Sequence, residues 1–263
     1  MNEQENKKMK SKTLLLAGVV GAALCTSAAG ATELKLLTAG AFKSTVMALL
    51  PDYEKASGNK VTVDNDTAGA LMKRIEAGET FDVVVMTPDG VDKLAGEGKV
   101  AAGSRTNLAR VGVGVMVKEG AAKPDISTVE AFKKAVLDAK SISFIDPASG
   151  GSSGIYVEKL LERLGIADQV KPKEKLKQGG YVADYIESGQ AELGIHQISE
   201  ILPHAGVTLV GPLPKEIQNY TVYAAGIGAG TKDAAAAKAL IASLMGPSAQ
   251  TLFKTKGMEP GAP

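Results

Sequence analysis

From Glu33 onward, short apolar runs alternate with stretches of helical period. ELKLLTA (33–39) predicts a first strand, and KSTVMALLPDYEKASG (43–58) predicts an amphipathic helix stopped by Gly58. The strand KVTVDN, the helix GALMKRIEAG and the strand FDVVVMT follow. Val83, Val84 and Val85 show no alternation, as expected of a strand covered on both faces. GVDKLAGEGK reads as a helix, VGVGVMVK (111–118) as a strand and STVEAFKKAVLDAK as a helix, with Ser127 as N-cap and Glu130 completing a capping box. After the strand SISFID, a turn of Gly and Ser leads into the helix GIYVEKLLERLG. The last third predicts the helix YVADYIESG, the strands AELGIHQ, VTLVGPL and NYTVYAAGIG, and the helix AAAAKALIASLMG before a short tail.

Strands and helices alternating over this length predict an α/β fold with mainly parallel sheets. Such sheets bind ligands outside the C-terminal ends of their strands, in the loops that open the next helix. Here those loops are TAGAFKS, NDTAGAL, MTPDG and IDPASGGSSG, most of them rich in Gly, Ala, Ser and Thr. Several turns of small residues could therefore converge on one cleft. The Ser149–Ser153 turn has two readings. Its serines cap the following helix, or its free backbone N–H groups form an anion cradle at the helix N-terminus.

The first 31 residues change the picture of the rest. Lys7, Lys8, Lys10 and Lys12 precede an apolar run of about 13 residues, short of the ~20 that span a membrane. With Ala29-Gly30-Ala31 behind it, this is a secretory signal peptide cut after Ala31, with Met1 or Met9 as the start. Cys25 raises a lipoprotein reading, but Leu24 stands where a small residue is wanted. Cleavage removes the one cysteine of the chain, and with it any disulfide, thiolate nucleophile or Cys–metal site. The leader holds four lysines and two glutamates, so the formal charge of +1 becomes about −1. That balance gives no case for nucleic acid or an anionic membrane, and the two histidines are too few for a metal cluster. A periplasmic chain with no cofactor, no metal and no membrane insertion is expected.

Candidate chemistry is sparse. Lys43 and Arg110 are the cations best placed near the loops. Adjacent strand residues face opposite ways, so one of His196 and Gln197 faces the cleft. Asp146 before Pro147 reads as a turn former, and Glu76, Glu79 and Asp82 as solvated surface. No G-x-x-x-x-G-K-[ST], H-E-x-x-H or G-x-S-x-G is present.

DTAGALMKRIEAG with FDVVVMT, FIDPASGGSSGIYVEKLLERLG and AELGIHQISE together resemble the type II periplasmic solute-binding proteins, and within them the molybdate-binding branch. The resemblance implies two lobes around a ligand cleft: residues 32–115, then 116–210, with 211–263 returning to the first. It also implies a monomer that hands a small anion to an ABC permease. The implied ligand-binding residues are Gly40, Ala41, Phe42, Lys43, Thr67, Ala68, Ser149, Ser152, Ser153, Gly179 and, in preference to His196, Gln197. Molybdate binders place Ser where Ala41 stands and Tyr where Gln197 stands. Losing two donors weakens the case for a dehydrated oxyanion and points to an organic carboxylate. PASGGSSGIYVEK, GIHQISEILPHAGVTLVGPLP and YTVYAAGI resemble a subgroup that includes a periplasmic aconitate isomerase. The alternative function is therefore a 1,3-proton shift with Lys43 or His196 as the candidate base, and molybdate or tungstate binding is a second alternative.

Overall fold

The computed structural model describes residues 31–261. The predicted signal peptide, apart from Ala31, and both candidate starts lie outside the described residues. In chain order the elements are β1 (Glu33–Ala39), α1 (Gly40–Ser57), β2 (Lys60–Asp66), α2 (Ala68–Glu76), β3 (Val83–Met86), α3 (Pro88–Gly96) and β4 (Thr106–Lys118). Then come α4 (Val129–Asp138), β5 (Ile142–Ser143), α5 (Ser152–Arg163), α6 (Ala167–Val170), α7 (Ala183–Glu187), β6 (Leu193–Gln197) and α8 (Ile198–Ile201). The chain closes with β7 (Val207–Pro212), β8 (Tyr220–Ile227), α9 (Ala234–Ser243), α10 (Pro247–Thr255) and β9 (Met258–Pro260).

Among the described residues nine strands follow the order β2-β1-β3-β8-β4-β6-β5, with β7 and β9 also on β4. The long strand β4 is shared between two groups. Thr106–Gly112 pairs with β8, and Val113–Val117 pairs with β6. At the change of partner, the Gln218 side-chain amide takes the place of a neighbouring strand. Its Oε1 accepts from Val113 N and its Nε2 donates to Val113 O, both at 2.9 Å. The sheet is mixed. β1 is parallel to β2 and β3, and β5 to β6, whereas β8 and all the partners of β4 are antiparallel.

Helices cover both faces of each group, which explains the uninterrupted valines of β3. Val83 and Val85 enter one core cluster with Phe42, Tyr223 and Phe253, while Val84 and Met86 enter another with Leu71 and Leu94. Each such side chain contributes about 1.5–3 kcal/mol by leaving water. The β6 group is built the same way, with Phe132, Phe144 and Ile195 in one cluster and Met116, Ile186 and Ile201 in another. Among the described residues no helix is long and apolar enough to cross a membrane.

Two local expectations change. The N-cap of α4 is Thr128, whose Oγ1 accepts from Ala131 N at 3.1 Å, while Ser127 N is held by Asp125 at 2.8 Å. α1 starts at Gly40, three residues before the periodic pattern becomes visible.

Candidate functional site

Three helices open directly from strand tips or from the Gly/Ser turn, and their first residues meet at one cavity. β1 passes into α1 without an intervening residue, and Ala39 offers no side-chain cap. Gly151 gives α5 no side-chain cap either, whereas Thr67 caps α2 by accepting from Ala70 N at 3.1 Å. The first turns of α1 and α5, without a side-chain cap, carry the positive ends of their helix dipoles. In α2 the Ala70 and Gly69 N–H groups are taken by Thr67 Oγ1 and Gly150 O. The cavity they surround is about 40 Å³, against the roughly 10–15 Å³ that one water requires by the same measure. No lysine or arginine lines it among the described residues.

The remaining wall holds His196, Glu200, Tyr181 and Tyr223. Glu200 Oε1 lies 2.6 Å from where a Cβ on Gly40 would stand, so the start of α1 admits this carboxyl only because Gly40 has no side chain. Oε2 lies 3.2 Å from His196 Nε2. Burial lowers the His196 pKa to about 3 and raises that of Glu200 to about 8. Both shifts favour a neutral carboxylic acid beside a neutral imidazole, since separating two charges in a dry pocket costs several kcal/mol per ion. The Tyr223 hydroxyl is also pushed up, mainly by burial. His196 Nδ1 is buried without a partner.

The turns also clasp one another. Thr67 Oγ1 donates to Ser149 O, and Gly69 N donates to Gly150 O at 3.1 Å. A Cβ on Gly69 would stand 2.6 Å from Gly150 Cα, and Gly150 has φ of 76°, so both positions favour glycine. Behind the lining, Gln197 Nε2 reaches Thr221 Oγ1 at 2.8 Å and Ser152 Oγ at 3.3 Å. Ser199 Oγ donates to Ala41 O at 2.8 Å.

Gly40, Ala41, Thr67, Ala68, Ser152 and Ser153 line the cavity. Ser149 takes part in the clasp through its carbonyl, and Gly179 packs beside Asp66, which does line the cavity. Phe42 is packed in the core against Tyr223 and Phe253, and Lys43 is half-buried outside the lining. Of the neighbours at the end of β6, His196 is in the lining and Gln197 is behind it. Arg110 pairs with Glu259 on the surface. Asp146 caps its turn by accepting from Ala148 N at 2.9 Å. Glu79 and Asp82 bond to Arg74, Lys35 and Thr231. Among the described residues no cluster of metal-ligating side chains occurs. Sequence reasoning missed Glu200, Tyr181 and Tyr223. A glutamate between apolar neighbours in HQISEIL was the one available signal for Glu200.

Comparison with known proteins agrees with this architecture. The aconitate isomerase of a Pseudomonas species is 32% identical over 235 residues, spanning 87% of this chain and 88% of that protein. The molybdate-binding protein ModA of Azotobacter vinelandii is 29% identical over 249 residues, spanning 90% and 94%. The solved structure of the periplasmic molybdate-binding protein from Azotobacter vinelandii has a TM-score of 0.75 at 23% identity, covering 87% of this chain and 100% of that one, a likeness of fold. Residues 34–259 match the family described as bacterial extracellular solute-binding protein. The chain is a member of the bacterial extracellular solute-binding protein family.

Proposed function

We propose that the chain captures a small organic carboxylate in the cavity where α1, α2 and α5 begin, and presents it to an ABC permease. The observation that carries this reading is the meeting of three helix N-termini at a space without a lysine or arginine in its lining. Such a site holds an anion by N–H donors and dipoles, as helix N-termini do elsewhere. Ile145, Tyr181, Tyr223 and the methyls of Ala41 and Ala68 add apolar wall, which suits a carbon skeleton and is of no use to a bare inorganic oxyanion. Ala41 and Gln197 stand where the molybdate-binding resemblance implies hydroxyl donors. The β1 and β6 groups act as the two lobes, closing about the crossing in β4 and the return at 213–219.

Thermal unfolding with trans-aconitate, citrate, molybdate and sulfate tests the ligand class. A ligand at a hundred times its Kd adds about 2.7 kcal/mol, which shifts Tm by roughly 5–10 °C in a chain of this size. A shift with a carboxylate and none with molybdate is expected; the reverse overturns the ligand assignment.

The buried pair His196–Glu200 favours a second reading, an isomerase like the Pseudomonas relative. Once the pair has given up one proton, His196 Nδ1 can remove a proton from a saturated carbon. The electron pair then moves through the adjoining double bond, and the same proton returns to the far carbon. Following absorbance of cis- and trans-aconitate at high protein concentration tests it. Interconversion abolished by His196→Gln is expected, and no interconversion eliminates the enzyme.

A further inference from the structure

We propose that Glu200 takes part in anion capture as a neutral carboxylic acid, so that the site binds its guest only while that proton is held. This rests on the anion-binding reading and adds the residue that sets its pH range. Glu200 is 7% exposed and wedged against Gly40, the residue that opens α1. Its Oε2 faces His196 Nε2 at 3.2 Å, and no cation lines the cavity among the described residues. An anion entering about 40 Å³ beside an ionised Glu200 would meet a like charge that no cationic side chain in the wall offsets. The protonated carboxyl removes that repulsion. By donating O–H to Nε2 it also fixes His196 as the Nδ1–H tautomer. Nδ1, buried and without a partner, then becomes a donor for the guest.

The groups that face Glu200 leave this assignment intact. β6 brings His196, the 178–182 loop brings Tyr181, β8 brings Tyr223 and the end of β2 brings Asp66. Both tyrosines are held neutral, chiefly by burial. Asp66 accepts from Thr67 N at 2.8 Å and lies 3.7 Å from Arg74 Nη1. The buried faces of β4 and β7 carry no titratable side chain, and Lys43 of α1 lies outside the lining. Burial puts release of the Glu200 proton at about pH 8, just above neutrality.

Titration calorimetry with trans-aconitate and with molybdate as separate probes, from about pH 6 to about pH 10, tests the proposal. The Kd of a bound probe should stay constant up to about pH 8 and rise about tenfold per pH unit above it. Glu200→Gln, which keeps the shape and cannot ionise, should lose the rise, whatever its Kd at neutral pH. A wild-type Kd that stays flat, or a variant that keeps the rise, overturns the role of Glu200. If neither probe binds at any pH, both ligand readings fall while Glu200 is decided in the ligand-free protein. An infrared C=O band of a protonated carboxyl at neutral pH, lost above about pH 8 and absent from Glu200→Gln, supports the neutral acid. Absence of that band from the wild type at neutral pH overturns it.

Discussion

Glu79, in the turn between α2 and β3, bonds Arg74 Nε at 2.6 Å and Lys35 Nζ at 2.8 Å, and these cations hold its pKa down to about 2. Glu200, at the cavity, has a neutral imidazole beside it and the start of α1 against it, and burial raises its pKa to about 8. The same side chain is thus fixed as an anion at one place and as an acid at the other. The difference bears on the proposed capture of an anion. A carboxylate already matched by cations adds a charge to the surface, whereas a carboxyl kept neutral leaves the positive ends of three helices available to a guest.

Changing Glu200 should have the largest effect. Its folded pKa lies above the ordinary 4.5, so the stability it contributes is whole below about pH 4.5 and lost as pH rises through about 8. His196 works in the opposite sense. Its folded value of about 3 lies below the ordinary 6.5, so its contribution is whole above about pH 6.5 and lost as pH falls through about 3. Between roughly pH 4.5 and 6.5 the two slopes cancel. Glu200→Gln should therefore melt about 8–16 °C above wild type near pH 9 and within a degree or two of it near pH 5. Parallel melting curves across that range would mean an ionised Glu200 at neutral pH. The variant should also expose the His196 slope, losing stability from about pH 6.5 to 4.5 where wild type stays level.

Wetting the cavity sharpens the contrast. Gly69→Val would drive a Cβ to 2.6 Å from Gly150 Cα, a backbone clash that no side-chain rotation relieves. With the clasp held open, ligand Kd should rise about tenfold or more, equivalent to about 1.4 kcal/mol. The alkaline loss of stability should move toward lower pH as water reaches Glu200. An unchanged Kd would show that the clasp does not close on the ligand.

Arg74→Gln should have the smallest effect. It removes the cation shared by Asp64 and Glu79 on a half-exposed surface. The loss should be about 0–1 kcal/mol by chemical denaturation and smaller still in high salt. A loss of several kcal/mol would erase the distinction between the two glutamates.

The parts of the molecule written in local period were legible. ELKLLTA matches β1 residue for residue, and the Gly58 stop of α1 is seen as a left-handed C-cap with φ of 74°. The start of α1 was not legible, because Ala39-Gly40-Ala41 carries no capping side chain. The antiparallel placement of β8 beside β3 joins residues far apart in the chain, which no window of sequence contains. The strand-tip loops of small residues were read as ligand loops because α/β sheets bind there, and their Gly40, Ala41, Thr67 and Ser153 line the cavity. Glu200 stayed hidden because glutamate is read as surface and α8 is too short, at four residues, to show a buried face. Period two said that His196 and Gln197 diverge. Which of them lines the cavity was decided by tertiary packing, with Gln197 turned to Thr221 and Ser152.

The amide of Gln218 has a mechanical consequence. By accepting from Val113 N, and by sharing Val113 O with Leu213 N, it lets one edge of β4 exchange β8 for β7 in mid-strand without stranding the Val113 donor. The return segment and β4 are thereby joined at Val113 by the Gln218 side chain and by the Leu213 backbone N–H. The turn of one lobe against the other that the proposed capture requires would bear on this one junction.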